Sequence, residues 1–181
     1  MRVIGGEFRS RRLKSIPGKD TRPTPDRLRE TLFDILARRV VGATFLDAYA
    51  GTGAVGIEAL SRGARHAFFV ERNRRALAAI QENLASLGLE GRATVIAAPA
   101  AISAANRGAD IVFLDPPYDL EREYAAILEA LGQAPPALVI AQHSKRLELA
   151  AVYGGLRRTR TLRQGDNALS FYGSAAVKPE M

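Results

Sequence analysis

Thr44-Phe45-Leu46-Asp47-Ala48-Tyr49-Ala50-Gly51-Thr52-Gly53-Ala54-Val55-Gly56 is the stretch that decides the fold. A short apolar run ends in an acid, passes through a glycine-rich turn and enters a helical pattern near residues 54–62, which Gly63 closes. Glycines at 51 and 53 let the backbone turn tightly, and the helix start behind them offers unpaired N–H groups to a ligand.

On either side of this stretch the chain reads as alternating strands and helices. His66-Ala67-Phe68-Phe69-Val70-Glu71 is a second strand, and the helix starting near Asn73 sets Leu77, Ile80, Leu84 and Leu87 on one side before Gly88. Further strands are predicted at Thr94–Ile96, Ile111–Leu114 and Leu138–Ile140, with a helix near residues 121–131 between the last two. Such βα units build a parallel sheet with helices on both faces. Leu156 to Arg163 and Leu169 to Tyr172, joined by Gly165-Asp166-Asn167, carry a hairpin signature. Upstream, Thr24 is expected to cap a helix with Pro25 at its first position and Asp26 in its first turn, and Leu28, Leu32, Ile35 and Leu36 give that helix an apolar face. Residues 1–20 read as a small strand or hairpin. The α/β chain of 181 residues is therefore expected to be one domain, with a basic extension over 1–23 and the core over 24–181.

Composition narrows the chemistry. No apolar run approaches the length of a membrane span, so a soluble, cytoplasmic protein is expected. The chain has no cysteine and two histidines, which excludes disulfides and thiolate sites and argues against a metal. Of the net charge of +7, much lies in residues 1–30, which hold nine basic side chains against four acidic ones. That clustering fits a phosphate-binding arm, and equally a solvated basic face.

The glycine loop satisfies G-x-G-x-x-G through Gly51, Gly53 and Gly56, so by itself it does not separate S-adenosyl-L-methionine from NAD. Glu71 follows at the end of the second strand, where an acid accepts hydrogen bonds from ribose hydroxyls, or pairs with Arg72 or Arg74 on the surface. Asp115-Pro116-Pro117-Tyr118 is more specific. It follows an apolar strand at the carboxyl edge of the sheet, where ligands of open α/β sheets bind. The prolines stiffen the turn, so the Asp115 carboxylate and the Pro116 carbonyl serve as fixed acceptors for the two hydrogens of an exocyclic amine, while Tyr118 stacks on the base. Such a base must be single-stranded, looped or flipped out. A strand-terminating turn whose acid caps a helix is the plain alternative.

Together these residues resemble the RsmD family of 16S rRNA guanine-N2 methyltransferases. The likeness is carried by Arg2-Val3-Ile4-Gly5-Gly6 with Arg9 to Leu13, by Arg22-Pro23-Thr24 with Asp26 to Phe33, by Leu46-Asp47 through Gly51-Thr52-Gly53 to Glu58–Arg62, and by Asp115–Tyr118. The resemblance implies a Rossmann-like class I methyltransferase: a mostly parallel sheet closed by a C-terminal antiparallel hairpin, with a small N-terminal β extension. It also implies adenosylmethionine as cofactor and 16S rRNA or a small-subunit assembly particle as partner. On this reading Asp47, Ala48, Gly51, Thr52, Gly53, Glu71 and Arg72 form the cofactor site, with Arg22 and Thr24 near it through the resemblance alone. The catalytic set is Asp115, Pro116, Pro117 and Tyr118. Arg2, Arg9, Arg11, Arg12, Lys14, Arg157, Arg158 and Arg160, with Arg163, are the candidates for RNA contact; no metal and a monomer are expected. Ala97-Ala98-Pro99-Ala100 offers no side chain to the adenine amine, and Asn73 and Gln142 stand where the family often has acids. An adenine-N6 methyltransferase, an NAD enzyme and a catalytically silent RNA-binding factor remain the alternatives.

Overall fold

All four residues of β1 (Thr44–Asp47) are buried, which places this strand inside a sheet covered on both faces. The computed structural model describes residues 1–16, 25–100, 108–117 and 121–175. Around β1 stand β2 (His66–Glu71), β3 (Ala93–Ala97), β4 (Ile111–Leu114), β5 (Leu138–Ser144), β6 (Val152–Tyr153), β7 (Leu156–Gln164) and β8 (Asn167–Ser174). The eight strands are ordered β3-β2-β1-β4-β5-β8-β7-β6. The first five pair in parallel, and β8, β7 and β6 extend the sheet antiparallel. The order reverses between β1 and β4, which is the switch point where such sheets open a crevice.

Strand alternation divides the core. Phe45, Ile111, Phe113, Ile140 and Phe171 lie in one apolar layer with α1 (Asp26–Leu36), α2 (Ala54–Ser61) and α3 (Arg74–Leu87). Leu46, Val112, Leu114, Val139 and Tyr172 lie in the other, with Tyr124, Ile127, Leu128 and Leu131 of α4 (Glu121–Gln133). Two local expectations are corrected. Pro25 has φ −53° and ψ 137°, so it is extended and caps α1 instead of occupying its first turn; Thr24 lies outside the described residues. Leu77 is only half-buried, because the inward face of α3 runs through Ala76, Ala79, Ile80, Asn83, Leu84 and Leu87.

The N-terminal extension is a small hairpin with one antiparallel bridge, Arg2 to Arg12, and hydrogen bonds from Val3 N to Arg11 O (2.9 Å) and Leu13 N to Met1 O (3.0 Å). It is built into the core. Val3 and Leu13 are buried, and the Glu58 carboxylate on α2 accepts the backbone N–H groups of Ile4 and Gly5, each at 2.8 Å. Arg62 Nε donates to the same carboxylate at 2.8 Å, and fully buried Arg29 of α1 stands 3.8 Å from it. Arg29 also donates to Arg2 O at 2.6 Å, so one buried acid and one buried base lock the arm to two helices.

Removing Glu58 takes away the buried counter-ion of Arg29, leaving it only the half-exposed Asp26 at 3.0 Å, and strips the N–H groups of Ile4 and Gly5 of their acceptor. Glu58→Ala is therefore expected to lower stability by about 3–5 kcal/mol, read from urea denaturation; a loss below about 1 kcal/mol contradicts this role.

Candidate active site

Two carboxylates hold the loop between β1 and α2. Asp47 ends β1, is buried, and its Oδ2 accepts the N–H of Gly56 at 3.0 Å. Burial pushes its pKa up to about 7; the Gly56 N–H opposes the shift and nearby Glu71 adds to it. Glu71 ends β2, with Oε2 accepting from Gly51 N at 2.9 Å and Oε1 from the N–H groups of Arg72 and Asn73, each at 2.8 Å. Between these anchors Gly53 turns with φ +82°, a region that disfavours any side chain. Gly56 lets the helix approach the sheet: a Cβ there would lie 2.3 Å from the Phe69 ring.

The loop is also tied from outside. Ala48 N donates to Phe113 O of β4 at 3.0 Å, and Ala50 N to Val70 O of β2 at 3.0 Å. Buried Asn83 of α3 donates to Thr52 O at 3.0 Å, while its Oδ1 accepts the Lys14 N–H at 2.7 Å. One amide thus joins the N-terminal hairpin to the glycine loop, a link that no local pattern announces. Asn73 caps α3, its Oδ1 accepting from Arg75 N at 2.9 Å and Ala76 N at 3.2 Å.

Asp115, half-buried, and Pro116, buried, follow β4 directly, next to the end of β1 because Asp47 pairs with Phe113; Pro117 is exposed. The structure therefore brings Asp47, Ala48, Gly51, Thr52, Gly53, Glu71, Arg72 and Asp115 to one edge of the sheet at its switch point. Tyr118, Arg22 and Thr24 lie outside the described residues. Sequence reasoning missed Tyr49 and Glu123. The Tyr49 hydroxyl donates to the Glu123 carboxylate, linking the glycine loop to α4, and burial followed by that carboxylate raises its pKa.

The loop suits an adenosine-bearing cofactor. Glu71 Oε2 has one N–H donor and keeps a lone pair for a ribose hydroxyl. After β3, the Ala98 N–H donates to the Glu71 carbonyl at 3.1 Å and Pro99 has no N–H. Among the described residues no cluster of three or more His, Asp or Glu is placed to hold a metal, and no helix is long and apolar enough to cross a membrane.

The basic candidates fall into separate groups. Arg2, Arg9, Arg11, Arg12 and Lys14 are exposed on the N-terminal hairpin, with Arg11 donating to Ser86 O at 3.2 Å and Lys14 paired with Glu82. The arginines of β7 do not form one patch, because a bulge between Arg158 and Arg160 changes the alternation. Arg160 stands opposite Phe171 on one face, and Arg158 opposite Tyr172 on the other. Arg158 is half-buried and donates to Leu149 O at 2.8 Å.

Residues 1–173 match the model of the family described as conserved hypothetical protein 95. The chain is 36% identical over 181 residues to YlbH of Bacillus subtilis, whose name proposes an rRNA methyltransferase, with 95% of this chain and 98% of that protein covered. It is 44% identical over 120 residues to ribosomal RNA small subunit methyltransferase D of Escherichia coli K12, covering 65% of this chain and 60% of the relative. The solved structure of Escherichia coli yhhF, whose title proposes a methyltransferase, superposes with a TM-score of 0.83 at 34% identity, covering 96% of this chain and 97% of that one.

The raised pKa of Asp47 has a consequence for stability. The folded protein holds this proton more tightly than the unfolded chain, so stability falls as pH rises from the ordinary carboxylate range to about 7, and the contribution is constant above it. Asp47→Asn is expected to flatten that slope in urea denaturation between pH 4 and pH 8 (about the window of the shift); an unchanged slope refutes the assignment.

Proposed function

Because the chain belongs to the conserved hypothetical protein 95 family, the RsmD family of the sequence resemblance, we propose that it is an adenosylmethionine-dependent methyltransferase acting on the exocyclic N2 of a guanosine in small-subunit rRNA. The observation that carries the reading is the juxtaposition, at the switch point, of the acid-braced glycine loop after β1 with Asp115-Pro116 after β4. The names of the relatives from Bacillus subtilis and Escherichia coli point to rRNA, and the second to the small subunit.

In this reading Gly51, Thr52 and Gly53 form the floor of the cofactor site, Glu71 accepts from the ribose, and Asp47 keeps the loop in shape. Ala48 and Arg72 flank it, and Arg22 and Thr24 are assigned to the same site on the family resemblance alone. When bound, adenosylmethionine supplies an electrophilic methyl group. The protein's task is alignment. The Asp115 carboxylate and Pro116 carbonyl accept the two amine hydrogens, which turns the nitrogen lone pair out of conjugation and towards the methyl carbon. Pro117 stiffens the turn and Tyr118 holds the base plane. Positioning of this kind supplies up to roughly 7–11 kcal/mol of a barrier, so no strong general base is needed. Asp115 or water takes the proton once the nitrogen carries the methyl group. The exposed basic residues of the N-terminal hairpin and β7 hold the RNA through its phosphates.

The test is transfer of labelled methyl from adenosylmethionine to unmodified small-subunit RNA or assembly particles, followed by digestion to nucleosides. Wild type is expected to form N2-methylguanosine, and Asp115→Ala to lose at least about a hundredfold in rate while still binding the cofactor. N6-methyladenosine as product would overturn the base assignment. Tight RNA binding without transfer to any form of the RNA would favour a catalytically silent assembly factor.

A further inference from the structure

A cavity opens beyond the end of β5, on the α4 side of the sheet, away from Asp115. His143 and Ser170, both buried, are among the residues that line it, together with Lys145, Arg158, Thr161 and Arg163. The β7 bulge is what brings Arg158 onto the same face as Thr161 and Arg163; without it Arg158 would point to the side opposite theirs.

The polar interior is fixed. His143 Nδ1 is 2.8 Å from Ser144 O and must donate to it, which leaves Nε2 to accept the Ser170 hydroxyl at 2.9 Å. Burial lowers the His143 pKa, so the ring is neutral and the positive charge of the cavity comes from Lys145, Arg158 and Arg163. Two acids face these cations. Glu148 lies in the lining, and Asp166 pairs with Lys145 at 2.9 Å from a largely exposed position. An exposed pair of this kind contributes little stability. Arg163 makes no ion pair among the described residues.

We propose that this cavity holds a backbone phosphate of the RNA strand that flanks the target nucleotide. Phosphate is the chemistry that fits: cations converge from β7 and the loop after β5, arginine offers its fork, and the Thr161 hydroxyl adds a donor. The position fits as well. β5 neighbours β4, and β8 and β7 follow, so at about 4.8 Å per strand the cavity lies roughly 10–15 Å along the same sheet edge from Asp115. A strand whose base reaches Asp115 then has a neighbouring phosphate within reach of Arg163. The inference rests on the RNA-methylating reading above.

The experiment measures binding of unmodified small-subunit RNA across a salt series by wild type, Arg163→Glu, and Arg38→Glu, a control at an exposed position on the other side of the fold. Arg163→Glu is expected to weaken binding roughly tenfold and flatten the plot of log affinity against log salt by about 0.7, the value for one lost single-strand phosphate contact. Arg38→Glu should do much less, and adenosylmethionine binding serves as the check of folding. If charge reversal disturbs the hairpin, Arg163→Gln carries the same test. Equal effects of the reversals at 163 and 38 overturn the proposal, as does loss of inorganic phosphate binding with RNA binding intact. Wild type that binds no RNA would instead remove the functional reading itself.

Discussion

Two carboxylates gripping one backbone loop are the constraint on which the site depends. Asp47 and Glu71 end adjacent parallel strands, close enough for Glu71 to add to the burial that disfavours the charge of Asp47. Both are kept there because the loop offers backbone N–H groups in return: Gly56 to Asp47 and Gly51 to Glu71. The loop is consequently shaped before any ligand arrives, and preorganisation of this kind lowers the ordering cost of binding. Glycine is required at 53 by the backbone and at 56 by the Phe69 ring, so the fold and the ligand surface depend on the same residues.

The constraint extends to the N-terminus. A hairpin of sixteen described residues would hardly hold by itself, and here its exposed arginines ride on a base fixed by Glu58, Ser61 and Asn83. Asn83 touches both Lys14 and the carbonyl of Thr52, so the basic arm and the glycine loop share one anchor. A basic surface attached in this way keeps a fixed distance from the loop, which a flexible tail could not do.

Much of this was legible in the sequence for a simple reason. β1, β2, β4 and the hairpin are short apolar or alternating runs bounded by glycine or charge, and their signals are local. The loop and the Asp115 turn were visible as strand ends. What escaped reading was long-range or single-residue in origin. Glu58 bonds Ile4 across 54 positions, and Asn83 bonds Lys14 across 69. The bulge in β7 shifts its arginines between faces through one extra residue, and alternation alone predicts the wrong partition. Tyr49 and Glu123 meet only because α4 returns over the first loop.

In the proposed reading, the acid-braced loop receives the adenosine end of a methyl donor and not a dinucleotide. Equilibrium titration of adenosylmethionine and of NAD into the protein, by calorimetry, addresses it most directly. Saturable one-to-one binding of adenosylmethionine, displaced by its demethylated product, is expected, with no heat from NAD. Saturable binding of NAD with none of adenosylmethionine would contradict the reading.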